Sequence, residues 1–223
     1  DISIMSDKPA GRSPIINYAI QDAEHKKAYD ILHRELCSGH QAYIICPMVD
    51  GDDDGRKSVA ETAKKIREVF PWVETGEVHG KMDPQKKNNV MSSFAEGNIK
   101  ILVATTVVEV GVNVPNATVI IIEGANNFGM LQLHQLRGRV GRGKDQSYCI
   151  FINSSEKECE KLNVLARTND GFEIAEEDYN LRKAGDLLGT QQSGNMGFLL
   201  ADIVKDESIL KEAEEAVNNH IGS

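Results

Sequence analysis

The sequence predicts an α/β fold, a mainly parallel sheet flanked by helices and followed by a small helical tail. Two patterns carry that prediction. From about residue 15 to residue 152, short and mostly apolar runs alternate with amphipathic stretches, the pattern of a parallel sheet covered on both faces. Beyond Asn153 the chain turns to charged helical segments interrupted by Gly171, Gly185, Gly189, Gly194 and Gly197.

Strands are predicted over 15–20, 42–46, 77–79, 101–105, 119–122 and 148–152. A first helix is predicted over 22–37, stopping at Gly39, a residue suited to a left-handed cap. A second follows Ser58, which stands at capping-box spacing from Glu61. A third follows Asp83, with Pro84 in its first turn and Val90, Met91 and Phe94 on one face. A fourth, over 131–137, leads into a segment rich in glycine and arginine. The opening residues, with Pro9, Gly11 and Pro14, read as a lead-in from something upstream. The expected division is a domain over 1–153 and a tail over 154–223 packed against it.

Composition narrows the classes. A chain of 223 residues can bury a core and needs no staples. Cys37, Cys46, Cys149 and Cys159 show no CxxC spacing, so free thiols are expected and no metal site. No apolar run approaches the roughly 20 residues of a membrane helix, and no signal arrangement opens the chain, so a protein without a membrane partner is expected. The net charge of -9 argues against a general nucleic-acid binder. Local patches must therefore decide.

Two motifs mislead. Asp50, Asp52, Asp54, Gly55 and Glu61 match a calcium-loop pattern, but a strand rather than a helix precedes them, and a solvated acidic loop explains the same residues. Gly138, Gly143 and Lys144 mimic a phosphate-binding loop, but Asp145 replaces the hydroxyl that would ligate magnesium and a helix precedes the segment. With no other such loop in the sequence, the chain has no triphosphate cradle of its own.

The most informative stretch runs from Gln135 to Gly143 and holds Arg137, Arg139 and Arg142 between glycines. It reads either as a basic surface turn or as an anion site. In the second case Arg139 and Arg142, one turn apart, aim planar forks at one phosphate group. Upstream, Val103-Ala104-Thr105-Thr106 ends a strand in hydroxyls and is followed by Glu109, Gly111, Asn113 and Pro115. That is the carboxyl edge of a parallel sheet, where α/β proteins place ligands.

These stretches resemble motifs VI and V of the superfamily 2 helicases, and Val78-His79-Gly80-Lys81-Met82 is similar to a third segment of that superfamily. The resemblance implies a RecA-like domain. By it, Arg139 and Arg142 act on the γ-phosphate of ATP held with Mg²⁺ by another RecA-like domain, with Gln135, Gly111 and Asn113 at the nucleotide. His79, Gly80, Thr105 and Thr106 face DNA. Asn113 departs from the more usual Asp but still hydrogen-bonds a hydroxyl.

The tail narrows the family. Asp178, Leu181, Arg182, the run from Gly185 to Thr190, and Gln192-Ser193-Gly194 resemble the translocation hairpin shared by RecG helicases and the transcription-repair coupling factor; Phe172-Glu173-Ile174-Ala175 favours RecG. Lys183, Ala184 and Gln191 depart from that pattern, where Gly, Pro and Arg are more usual. The resemblance implies that Arg182 and Gln192 link the motor to DNA. It further implies an ATP-dependent helicase of branched double-stranded DNA, monomeric, in the bacterial cytoplasm at the nucleoid. Its partners are an upstream RecA-like domain and a DNA-binding wedge domain, and this segment alone is expected to be inactive. A non-catalytic DNA-binding or regulatory module, or a coupling-factor-like translocase, is the alternative. The motor reading expects both arginines on the sheet's ligand-bearing rim.

Overall fold

The computed structural model describes residues 13–47, 56–105 and 114–188. The acidic loop Asp50 to Gly55, and Thr106, Gly111, Asn113 and Gln192, lie outside these residues.

The six strands are β1 (Ile16–Gln21), β2 (Gln41–Cys46), β3 (Thr75–Val78), β4 (Ile101–Thr105), β5 (Ala117–Ile122) and β6 (Tyr148–Asn153). They form one sheet in the order β1-β6-β5-β2-β4-β3, and every pairing is parallel. The helices are α1 (His25–Cys37), α2 (Arg56–Val69), α3 (Pro84–Ala95), α4 (Met130–Arg137), α5 (Glu160–Arg167) and α6 (Gly171–Leu188).

Strand periodicity divides the core in two, because successive side chains point to opposite faces. Tyr43 and Ile45 of β2, with Ile120 and Ile122 of β5, point toward Phe94 of α3, Leu133 of α4, Leu165 of α5 and Ile174 of α6. Ala42, Ile44 and Cys46, with Val119 and Ile121, point toward Leu32 of α1 and Ile66 of α2. Every residue of β2, β4 and β5 is buried, which accounts for their unbroken apolar character. Leu162, Val164 and Leu165 of α5 and Ile174 of α6 join the cluster that holds β5 and β6.

The punctuation behaves largely as expected. Gly39 takes φ +85° after α1. The Asp83 carboxylate accepts from the backbone amides of Gln85 and Lys86 at 3.0 and 3.1 Å, with Pro84 opening α3. The capping box at Ser58 does not form. α2 already begins at Arg56, which puts Ser58 inside the helix, and its hydroxyl donates to the Pro47 carbonyl at 3.1 Å. The first predicted helix divides into a 3-10 turn at Asp22–Glu24 and α1 proper. β3 begins at Thr75 rather than at residue 77 and ends at Val78, leaving His79 in the turn that follows.

All four cysteines are free thiols. Burial pushes the Cys46 thiol up to about 12 and raises that of Cys149 as well, which leaves both unreactive at neutral pH. No helix among the described residues is long and apolar enough to cross a membrane.

Candidate functional site

The glycine- and arginine-rich segment is a turn that connects α4 to β6. α4 ends at Arg137, so no helix spaces the later arginines; Gly138 closes it and Gly141 reverses the chain at φ +75°. The turn is wedged tightly. A Cβ at Gly141 would come 2.9 Å from Ile15 Cγ1, and one at Gly143 would come 2.6 Å from the carbonyl oxygen of Pro115. Only hydrogen fits there, so the two glycines set how closely this loop approaches β1 and the start of β5.

Arg139 and Arg142 are both half-buried in this turn. Arg142 Nε donates to the Gly138 carbonyl at 3.1 Å. Burial raises the Tyr43 hydroxyl above its usual range, and the charges of Arg142 and Arg139 pull it the other way. Both arginines thus stand in a glycine-closed turn and not on one turn of helix. Gln135 projects from α4 into solvent. A cavity of about 270 Å³ opens beside the loop, lined by Ile15, His134, Arg137, Arg142 and Asn169 among others.

The expected position of the arginines needs correction. Residues 138–146 lie along the amino edge of the sheet, because Gly143 meets Pro115, Gly141 meets Ile15 and Gln146 Nε2 donates to the Pro14 carbonyl at 2.7 Å. All three neighbours precede the first residue of a strand. The carboxyl-rim rule applies to Thr105 and His79, which stand at or just after the carboxyl ends of β4 and β3. It fails for the arginines because their turn follows α4 and leads into β6, so it meets the residues that stand just before β1 and β5. Pro115, just before β5, meets the arginine loop at this opposite edge.

Arg137 parts company with its neighbours. It is 3% exposed, and its Nη1 donates to the carbonyls of Leu165 and Thr168 at 3.1 and 2.7 Å. Its Nη2 donates to His134 Nδ1 at 2.7 Å. The sequence carried a signal for this, since Met130, Leu133 and Arg137 fall on one helical face and all are buried. Asp145, at the position that spoils the phosphate-loop pattern, lies 3.7 Å from His40.

At the carboxyl edge, Thr105 is fully buried and its hydroxyl has no hydrogen-bond partner among the described residues. His79 is half-buried, and Gly80 is exposed in the following turn. Arg182 extends from α6 and pairs with Asp178 at 2.7 Å.

Sequence reasoning also missed a charged cluster where β1 and β5 end. His25 Nε2 lies 3.0 Å from the Glu123 carboxylate, and its Nδ1 lies 2.6 Å from the Asp22 carbonyl. The Glu123 carboxylate pushes His25 up to about 9, against the opposing effect of burial. With Asp22 this is the one group of three metal-capable side chains among the described residues.

Around the arginine loop the donors are guanidinium groups and backbone amides, a set that fits triphosphate oxygens. A magnesium ion needs carboxylate or hydroxyl oxygens, which the loop itself supplies only through Asp145.

Residues 26–144 match the helicase conserved C-terminal domain, and residues 168–222 match the C-terminal part of domain 3 of the ATP-dependent DNA helicase RecG. The chain is 42% identical over 220 residues to ATP-dependent DNA helicase RecG of Synechocystis sp., covering 97% of this chain and 26% of that protein. It is 41% identical over 228 residues to the Bacillus subtilis protein of the same name, covering 100% of this chain and 33% of the relative. Among solved structures, RecG bound to a three-way DNA junction superposes with a TM-score of 0.68 at 36% identity, covering 92% of this chain and 26% of that one. Domain 2 of the DEAD-box helicase Mss116p, bound to an RNA duplex, shares the fold with a TM-score of 0.52 at 16% identity. The chain thus spans about a quarter to a third of the length of the RecG proteins it matches. With that domain match spanning more than half of its residues, the chain belongs to the helicase conserved C-terminal domain family, and its similarity to RecG proteins runs almost from one end of this chain to the other.

Proposed function

We propose that this chain is the second motor half of a RecG-like ATP-dependent DNA helicase, acting on branched double-stranded DNA such as stalled forks and four-way junctions. What supports it above all is the likeness to RecG helicases along nearly the whole chain; Arg139 and Arg142 sit together in a turn that two glycines hold against Ile15 and Pro115, at the amino edge and not at the rim that the motor reading expects. Such a turn presents two cationic forks at a fixed place and pays little conformational entropy on meeting a phosphate group.

ATP supplies the transferable γ-phosphate when it is bound, and an upstream RecA-like domain holds it together with Mg²⁺. Arg139 and Arg142 close over it and spread the charge that builds on the phosphoryl oxygens. Gln135, Gly111 and Asn113 are assigned to the nucleotide as well. His79, Gly80, Thr105 and Thr106 are assigned to DNA phosphates, with His79 and Thr105 at the other edge of the sheet. The two faces are about one strand length apart, roughly 16 Å for the five residues of β4. Residues 154–223 form the tail, in which Arg182 and Gln192 carry the stroke to duplex DNA. The wedge domain and the first motor domain are the partners, and the assembled enzyme works as a cytoplasmic monomer at the nucleoid.

The test joins this chain to a RecA-like domain that carries a phosphate-binding loop and measures DNA-stimulated ATP hydrolysis. Arg139→Ala should lower turnover on the order of 10³-fold or more, as removal of an arginine finger does, with the fold intact by circular dichroism. Unchanged turnover would leave the chain a DNA-binding or regulatory module.

A further inference from the structure

The buried arginine two residues before the proposed finger has no part in that chemistry. Arg137 closes α4, and all three of its hydrogen bonds run away from the arginine turn: to the carbonyls of Leu165 and Thr168 at the end of α5, and to His134 Nδ1. An apolar side chain at this position would pack α4 against α5 as Met130 and Leu133 do. A guanidinium does something different. It has donors only, in a rigid fork, and so ties α4 to two specific carbonyl positions instead of letting the surfaces slide.

Those carbonyls belong to the junction that launches α6. Thr168 Oγ1 accepts from the Asp170 amide at 3.1 Å, and Asp170 Oδ1 accepts from the Phe172 amide at 2.8 Å in the first turn of α6. Asn169 anchors the same junction to β1, its Nδ2 donating to the Ile15 carbonyl at 2.9 Å and its Oδ1 accepting from Asn17 Nδ2 at 3.0 Å. Gly171, the first residue of α6, lies against His134, since a Cβ there would come 3.3 Å from Nε2. Ile15 in turn is the residue that Gly141 of the arginine turn abuts. The turn and the start of α6 therefore share two supports, Arg137 on one side and Ile15 with Asn169 on the other. Arg182 lies eleven residues along α6 from Gly171, about 16 Å at the rise of a helix.

We infer that Arg137 and Asn169 form a relay that carries the position of the arginine turn into α6, making Arg137 a positioning residue for work on DNA and not a participant in ATP hydrolysis. The inference rests on the motor reading above and names how that motor couples its two faces. A displacement of the turn moves the end of α4, Arg137 drags the Leu165 and Thr168 carbonyls with it, and α6 pivots at its first residue. Close packing transmits such a movement instead of absorbing it.

The experiment uses the chain joined to its upstream motor domain and compares the parent with Arg137→Met and Asn169→Ala. Two activities are read side by side, DNA-stimulated ATP turnover and strand separation of a forked duplex per ATP consumed. The relay predicts turnover within about threefold of the parent, with strands separated per ATP falling about tenfold, the size of coupling that contiguous packed networks carry. Hydrogen exchange in α6 should respond to a non-hydrolysable ATP analogue in the parent and lose that response in both variants. Asn169→Ala, at a half-buried position, keeps the test open should Arg137→Met fold poorly. Turnover and strand separation falling in parallel in both variants, or neither changing, overturns the relay while the motor reading stands. A parent assembly with no DNA-stimulated turnover overturns both.

Discussion

Three arginines within six residues have two different fates, and burial separates them. Arg137 is inside because it continues the apolar face of α4, and there its donors find the open carbonyls at the end of α5. Arg139 and Arg142 stand beyond the helix, where Gly138 and Gly141 turn the chain. The glycines are as decisive as the charges. Gly143→Ala must displace the Pro115 backbone, because the new methyl would start 2.6 Å from its carbonyl oxygen. Overpacking of this kind costs about 1–3 kcal/mol, so the urea midpoint should fall, and ATP turnover of the assembled motor should fall with it. An alanine variant that matches the parent in both would show that the turn is not held by this contact.

At the scale of elements, α1 is tied to the end of β5 by His25 and Glu123, and this tie is sensitive to pH. Because the Glu123 carboxylate raises His25 from 6.5 to about 9, the folded protein holds this proton more tightly than the unfolded chain. The contribution to stability is thus complete below pH 6.5 and disappears as the pH climbs through about 9. His25 keeps 27% of its side-chain surface, so solvent screening reduces the effect to about 1 kcal/mol. Urea melts across that range should show the decline, and Glu123→Gln should flatten it. An equal slope in the variant would assign the pH dependence to other groups. Element boundaries were legible wherever local chemistry sets them, as at Asp83-Pro84 and Gly39. The capping box at Ser58 failed because α2 already begins at Arg56, which puts Ser58 inside the helix, where its hydroxyl donates to the Pro47 carbonyl.

At the scale of the whole molecule, the charge of -9 sets a further expectation. The isolated chain should bind duplex DNA weakly, hydrolyse no ATP, and lose what binding it has linearly as salt rises on a log–log plot. The slope counts the phosphates engaged. His79→Ala should change that slope less than Arg182→Ala, which removes a guanidinium fork and should reduce it by about one unit. Fluorescence anisotropy at several salt concentrations reads both. An Arg182 variant with the parent's slope would take that side chain out of the DNA interface.

The sequence by itself determined where strands and helices follow one another along the described residues, and the residue types that make the arginine turn. Those features follow from periodicity, from glycine and proline, and from short-range spacing, all of which act within a few residues. Only the tertiary structure decided that β1 lies beside β6, that the arginine turn runs along the amino edge and not the rim with Thr105, and that Arg137 faces inward. Each depends on contacts between residues far apart in the chain, such as Ile16 with Tyr148 and Arg137 with Thr168. Local patterning says which face of an element is apolar; which neighbour covers that face is settled by the packing of the whole chain.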